Sequence, residues 1–292
     1  MGEKTGISWT DHTFNPWWGC VKVSPACQNC YAETLSKRLG LSVWGAVSPR
    51  RWFSAAHWRE PLKWNKAAEK AGVRRRVFCA SMADVFEGGS SDLDDQRANL
   101  WVLIKSTPML DWLLLTKRPE NIRRMFPAGW STPQPNVWLG VTAENQECAN
   151  KRIPILLQIP AVVRFVSAEP LLGPVTFRWP IWDDDTPNER RVNQLPPVMR
   201  DGRILAGSID HLDGLRMLDW VIVGGESSAG ARLMQPEWAR TIRNECIEAG
   251  VPFYFKQWGG NRPKSNGREL DGREWLEIPT GGRWLRQYAG TA

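Results

Sequence analysis

Cys20, Cys27 and Cys30 fall within eleven residues in a C-x6-C-x2-C pattern, whereas Cys79, Cys148 and Cys246 are scattered singly. Two thiolates separated by two residues can face one centre from a single turn. A six-residue loop with Gly19 before it and Pro25 inside it can return the third. Such a group is what a metal ion or an iron–sulfur cluster requires. A disulfide framework is not expected, because the chain is large and its first residues, MGEKTGISWTDHTF, carry no secretory leader pattern. Three thiolates are one short of a closed four-ligand site. Either a fourth protein ligand completes it, or one coordination position stays open. His12 is the nearest of the three histidines, the others being His57 and His211, so a Cys3His zinc site is the alternative to a cluster.

The elements that must position these thiols alternate. Apolar, β-branched runs at Arg76–Ala80, Trp112–Leu115, Val137–Val141, Val162–Val166, Trp220–Val223 and Pro252–Phe255 are near-continuous, as in parallel strands buried on both faces. Ile7–Thr10 is a candidate first strand. Helices are expected over Tyr31–Leu39, Asp92–Lys105, from Pro119, over Asn145–Gln158 with Pro154 as an interruption, and over Pro236–Ala249 before Gly250. Alternation at this spacing predicts one α/β domain over 1–292, with a parallel sheet closed fully or partly into a (β/α) barrel. A proline- and aspartate-rich stretch at about 174–219 reads as an insertion over one face, and the glycine- and arginine-rich tail at about 261–292 as an extension that wraps the barrel.

In a parallel barrel the functional groups gather where the strands end. Each apolar run here is followed by small or ionisable residues: Ser81 and Asp84; Thr116, Lys117 and Arg118; Thr142, Glu144 and Asn145; Ser167 and Glu169; Gly224, Gly225 and Glu226; Lys256 and Gln257. That mixture suits a polar, charged ligand, and the glycine pair could let backbone approach it closely. The formal charge of +7 favours anionic partners such as nucleotides or nucleic acid. Tryptophan is in excess, with 18 against 3 tyrosines. Most are expected in the core, and the Trp17-Trp18 pair beside Cys20 is the first candidate for base stacking. No apolar run reaches the roughly 20 residues of a membrane span. A cytoplasmic location is expected.

The Thr-x-Asn-Pro-Trp-x-Gly-Cys lead-in at 13–20, Cys27-x-x-Cys30-Tyr31-Ala32, Ala-Glu-Pro-Leu-Leu-Gly at 168–173 and Gly-Gly-Glu-Ser at 224–227 together resemble a radical-SAM-like family of phages and bacteria whose substrate is unassigned. The usual spacing in the radical SAM superfamily is C-x3-C-x2-C, three residues shorter in its first loop. The resemblance implies a (β/α) barrel of radical SAM type and a [4Fe–4S] cluster on Cys20, Cys27 and Cys30. It further implies that S-adenosylmethionine on the open iron is cleaved to a 5′-deoxyadenosyl radical. A reductant is implied as well, either a protein or a small-molecule electron donor, with a nucleotide or nucleic acid as a possible substrate. Ser81, Asp84, Thr142, Glu144, Asn145, Ser167, Glu169 and Glu226 are the cofactor contacts expected from their strand-end positions.

Overall fold

The structure is a computed structural model that describes residues 5–177, 199–200, 203–204, 213–262 and 265–280. Most of the expected insertion and the end of the tail, 281–292, lie outside the described residues. Seven strands, β1 (His12–Thr13), β2 (Arg75–Cys79), β3 (Leu110–Thr116), β4 (Val137–Thr142), β5 (Val163–Ala168), β6 (Trp220–Gly224) and β7 (Phe253–Gln257), form one sheet in chain order. Every neighbouring pair is parallel. Each connection must therefore cross over outside the sheet, and the curled sheet makes a half-barrel open between β1 and β7.

Side-chain alternation divides each strand between two cores. Val77, Leu114, Leu139, Val166, Val223 and Phe255 point outward into a large cluster shared with the helices. Phe78, Leu113, Trp138, Phe165, Ile222 and Tyr254 point inward and pack with Trp9 and Trp220. The rings of Trp9, Trp138 and Tyr254 stand edge-on to Trp220 at centroid distances of 6.1, 6.2 and 6.0 Å. This geometry matches the ring quadrupoles and adds to the burial of large apolar area. Tryptophan thus fills the concave bottom of the half-barrel, and polar chemistry is confined to its top.

The helices begin and end for local reasons. Ser90 Oγ accepts from Leu93 N–H at 3.3 Å and caps α4 (Ser91–Lys105). The last helix, Pro236–Ala249, starts at its proline and stops at Gly250, whose φ of 67° is a left-handed cap. Three expectations are corrected. The first strand is His12–Thr13, with residues 8–9 in a turn that lets Trp9 plug the floor. Pro154 does not interrupt its helix, which runs Gln146–Leu157 and is called α6 below. Glu60–Ala71 is an additional helix, signalled by Pro61 near its start, buried Pro61, Trp64 and Ala68, and Gly72 at its end. Residues 275–277 pair with the edge strand β7, where Phe255 N–H donates to Trp275 O and Glu277 N–H to Phe253 O.

Gly140 lies on the concave face, where an added Cβ would stand 2.4 Å from the Phe165 ring, while Gly173 has open space. Gly140→Ala is expected to lose about 1–3 kcal/mol in urea unfolding through overpacking. Gly173→Ala serves as the unaffected control, and equal midpoints for the two variants would contradict this packing.

Candidate functional site

The carboxyl ends of the strands surround a cavity of about 750 Å3, and Cys20, Cys27 and Cys30 all line it. Ser81, Asp84, Thr142, Ser167, Glu169 and Glu226 line the same cavity, whereas Glu144 and Asn145 do not. Asn145 caps α6 through Cys148 N–H at 2.9 Å. Glu144 is wholly buried beneath the cysteine loop.

The chain reaches the cavity directly from β1. Asn15 ties the ends of β1 and β2 together by accepting from Met82 N–H at 2.7 Å and donating to Ser81 Oγ at 3.1 Å. Gly19 has a φ of 116°, and a Cβ there would meet Val43 O at 2.2 Å, so only glycine lets the chain turn into Cys20. Gly45 N–H then holds Cys20 O at 3.1 Å. Cys27 ends the short 3-10 turn Pro25–Cys27, and Cys30 is the N-cap of α1 (Tyr31–Arg38).

Three carboxylate–arginine pairs, rooted at the ends of β2, β4 and β6, grip this loop. Asp84 pairs with Arg118 at 2.8 Å, and Arg118 reaches Val21 O at 2.7 Å and Cys20 Sγ at 3.6 Å. Glu144 pairs with Arg152 of α6 at 2.6 Å and accepts from Ala26 N–H at 3.4 Å. Glu226 accepts from Arg232 Nε at 2.9 Å and Asn29 Nδ2 at 3.0 Å, while Arg232 donates onward to Pro25 O at 3.1 Å. The three strand-end acids therefore anchor the cysteine loop. Asp84 also accepts from Thr116 Oγ1 at 2.7 Å and from the N–H groups of Phe86 and Lys117.

One carboxylate of the cavity keeps unused capacity. Glu169 Oε2 accepts from Lys256 Nζ at 3.2 Å and Ser167 Oγ at 3.4 Å, but its Oε1 is buried with no hydrogen-bond partner. Gly224 makes room for that carboxylate, since a Cβ there would stand 2.7 Å from Oε1. Gly225 admits backbone, though that of Trp258, whose carbonyl would lie 1.9 Å from an added Cβ. Lys117 lines the cavity and makes no salt bridge among the described residues.

The thiols differ in acidity. Burial, reinforced by Asp84 and opposed by Arg118, pushes Cys20 up to about 12. Burial also raises Cys30 against the N–H groups of Glu33 and Ala32 at the start of α1 and the charge of Lys117. Cys27 is buried too, but Lys117 and hydrogen bonds from Val23 and Ser24 outweigh that and hold it below the ordinary thiol value.

His12 is not beside them. It pairs in register with outward-facing Val77 and stacks on Trp64 at 4.5 Å, on the far side of the sheet from the cavity. Among the described residues no three histidine, cysteine or acidic side chains are gathered closely enough to hold one metal ion. A cubane cluster places its three thiolates on three different irons and so needs them farther apart than one ion does. Three thiols and a partnerless carboxylate oxygen on one cavity, with a volume within the roughly 300–1,000 Å3 of ligand cavities, fit a cluster with a polar ligand. Arg118 was marked at its strand end but not among the expected cofactor contacts, and Arg152, Arg232, Asn15 and Asn29 were not among the expected site residues. Arg152 and Arg232 carry no strand-end signal.

In the metal-free chain at neutral pH, limited iodoacetamide labelling followed by mass spectrometry is expected to modify Cys27 first and Cys20 last of the three. Arg232→Met, which frees the Pro25–Asn29 segment, is expected to raise Cys27 and Cys30 labelling several-fold while buried Cys246 stays inert. Unchanged labelling in Arg232→Met would contradict the clamp.

No curated protein and no solved structure matches the chain. A family model described as "Protein of unknown function (DUF5131)" matches residues 4–279, nearly the whole of it. The chain, with its half-barrel and three-cysteine cavity, therefore belongs to the DUF5131 family.

Proposed function

We propose that this protein is an iron–sulfur enzyme of radical SAM type, acting on an anionic substrate of the nucleotide or nucleic-acid class. The observation that carries the reading is that Cys20, Cys27 and Cys30, with no fourth cysteine, line one cavity at the carboxyl rim of a parallel half-barrel. Those three thiolates would hold a [4Fe–4S] cluster. When bound and reduced, a cluster with one open iron supplies the electron that cleaves S-adenosylmethionine to a 5′-deoxyadenosyl radical.

The chain's own groups supply binding and orientation. The Arg118, Arg152 and Arg232 pairs hold the thiolate loop in place, so that little reorganisation accompanies loading. Lys117 faces Cys27 and Cys30 electrostatically and offsets the charge of thiolates. Glu169 offers a buried acceptor to a donor group on a polar ligand, and Lys256 keeps that carboxylate in position. The aromatic floor beneath excludes water from below.

Anaerobic reconstitution with iron and sulfide should give a brown protein with about four irons per chain and absorbance at roughly 400 nm. With dithionite and S-adenosylmethionine it should release 5′-deoxyadenosine. Cys27→Ala should abolish cluster assembly and Cys246→Ala should retain it. A colourless chain holding one zinc, or equal loss in the two variants, would overturn the proposal.

A further inference from the structure

One flank of the cavity mouth differs from the rest of the surface. From Thr34 to Arg59 the chain contains five cations and no aspartate or glutamate. Arg50 is buried against Glu87 and Lys37 pairs with Glu33, whereas Arg38, Arg51 and Arg59 are exposed and make no salt bridge among the described residues. The same stretch and the helix leading into it expose large apolar side chains, a combination that a purely solvated basic surface does not require. On α1, Tyr31, Leu35, Arg38 and Leu39 recur at helical spacing and form one exposed face, and Tyr31 and Leu35 also line the cavity. Arg51 lies 4.6 Å from the ring centroid of Trp18, a cavity residue that shares a cluster with Ala32 of α1, and its neighbour Trp52 is 40% exposed.

Tyr31 is held as a platform, and the backbone that carries Trp52 is tied down at the neighbouring Arg51. Tyr31 leaves half its surface in solvent while its hydroxyl donates to Ser81 O at 2.7 Å, so the ring is fixed at the lip of the cavity. Arg51 is fixed by main-chain bonds in both directions with Trp18, each 3.0 Å. Rigid aromatic faces interleaved with arginine bind unstacked bases, with the cations following the phosphates. A duplex hides its base faces, and an anionic membrane would leave unused a cavity lined by Ser81, Asp84 and Lys117.

We propose that the face formed by Tyr31, Leu35, Arg38, Leu39, Arg51 and Trp52 docks single-stranded nucleic acid and delivers one base into the cavity. This deepens the reading of the cavity as the reacting site and rests on it for the base's destination, while the docking itself needs neither cluster nor cofactor.

Fluorescence anisotropy of the full chain with fluorescein-labelled single-stranded RNA, single-stranded DNA and duplex DNA tests the docking. Single strands are expected to bind in the range of about 1–100 µM at roughly 50 mM salt. Trp52→Ala, with an unchanged thermal melt, should weaken binding roughly tenfold. Combined Arg38→Gln and Arg51→Gln should flatten the plot of log affinity against log salt by about 1.4, or 0.7 for each lost phosphate contact. Either single strand satisfies the inference, and the tighter one names the source. It is overturned by absent single-strand binding, by equal or tighter duplex binding, by full affinity in both variants, or by stronger binding to phosphatidylserine vesicles. Lost oligonucleotide binding with intact 5′-deoxyadenosine release sinks this inference alone. Retained binding by a chain that cannot assemble a cluster sinks only the enzymatic reading.

Discussion

The carboxylate–arginine pairs at the ends of alternate strands are the interaction on which the cavity depends. A loop that presents three thiols must be stiff, yet residues 20–30 contain only one short 3-10 turn and make few apolar contacts of their own. The sheet compensates by sending Asp84, Glu144 and Glu226 upward from β2, β4 and β6, each with an arginine. Arginine suits this role because its planar fork bonds a carboxylate and a backbone carbonyl at once and remains charged throughout. Arg118 joins Asp84 to Val21 O in this way, and Arg232 joins Glu226 to Pro25 O. Buried pairs of this kind add little net stability over apolar packing, but removing one partner typically costs about 3–5 kcal/mol. They fix a geometry instead of deepening the fold.

The aromatic floor makes this arrangement possible. A parallel half-barrel with an empty concave face would admit water to the backs of the strands. Trp9, Trp138, Phe165 and Trp220 close it from below, leaving the inward positions nearer the strand ends, Thr142, Ser167 and Lys256, to line the cavity. Gly140 marks the boundary, where the Phe165 ring takes the space of a side chain. Part of the tryptophan excess thus answers a volume requirement, while Trp18 and Trp44 line the cavity and Trp52 is exposed on its flank.

How much of this was legible follows from period and register. Six of the seven strands were marked by near-continuous apolar runs, because burial on both faces leaves a signature that local residue type carries. The first strand was not, since two residues are too few for a period and Trp9 belongs to the floor from a turn. The cysteine cavity was legible because strand ends converge in any parallel barrel. The role of its acids was not: whether Glu144 faces a ligand or an arginine depends on α6 bringing Arg152 back over β4, a tertiary fact with no local trace. His12, nearest to the cysteines in sequence, was placed beyond reach by parity alone, because its register partner Val77 faces outward.

Satisfaction of hydrogen bonds separates the carboxylates of the cavity more sharply than residue type does. Asp84 and Glu226 each accept several bonds from the chain itself, so a ligand would have to displace protein contacts to use them. Glu169 instead keeps one buried oxygen without a partner among the described residues, an arrangement that carries a desolvation penalty of about 1–3 kcal/mol. Folding alone gives no reason to retain that penalty next to Gly224, which any larger residue would turn into a clash. On the function proposed for the cavity, a polar ligand that donates to Glu169 would give one. The lone charge of Lys117 lies toward the thiols, where deprotonation would place negative charge. Among the described groups lining the cavity, Glu169 is thus the carboxylate with acceptor capacity left over, and Lys117 the ammonium without a salt bridge.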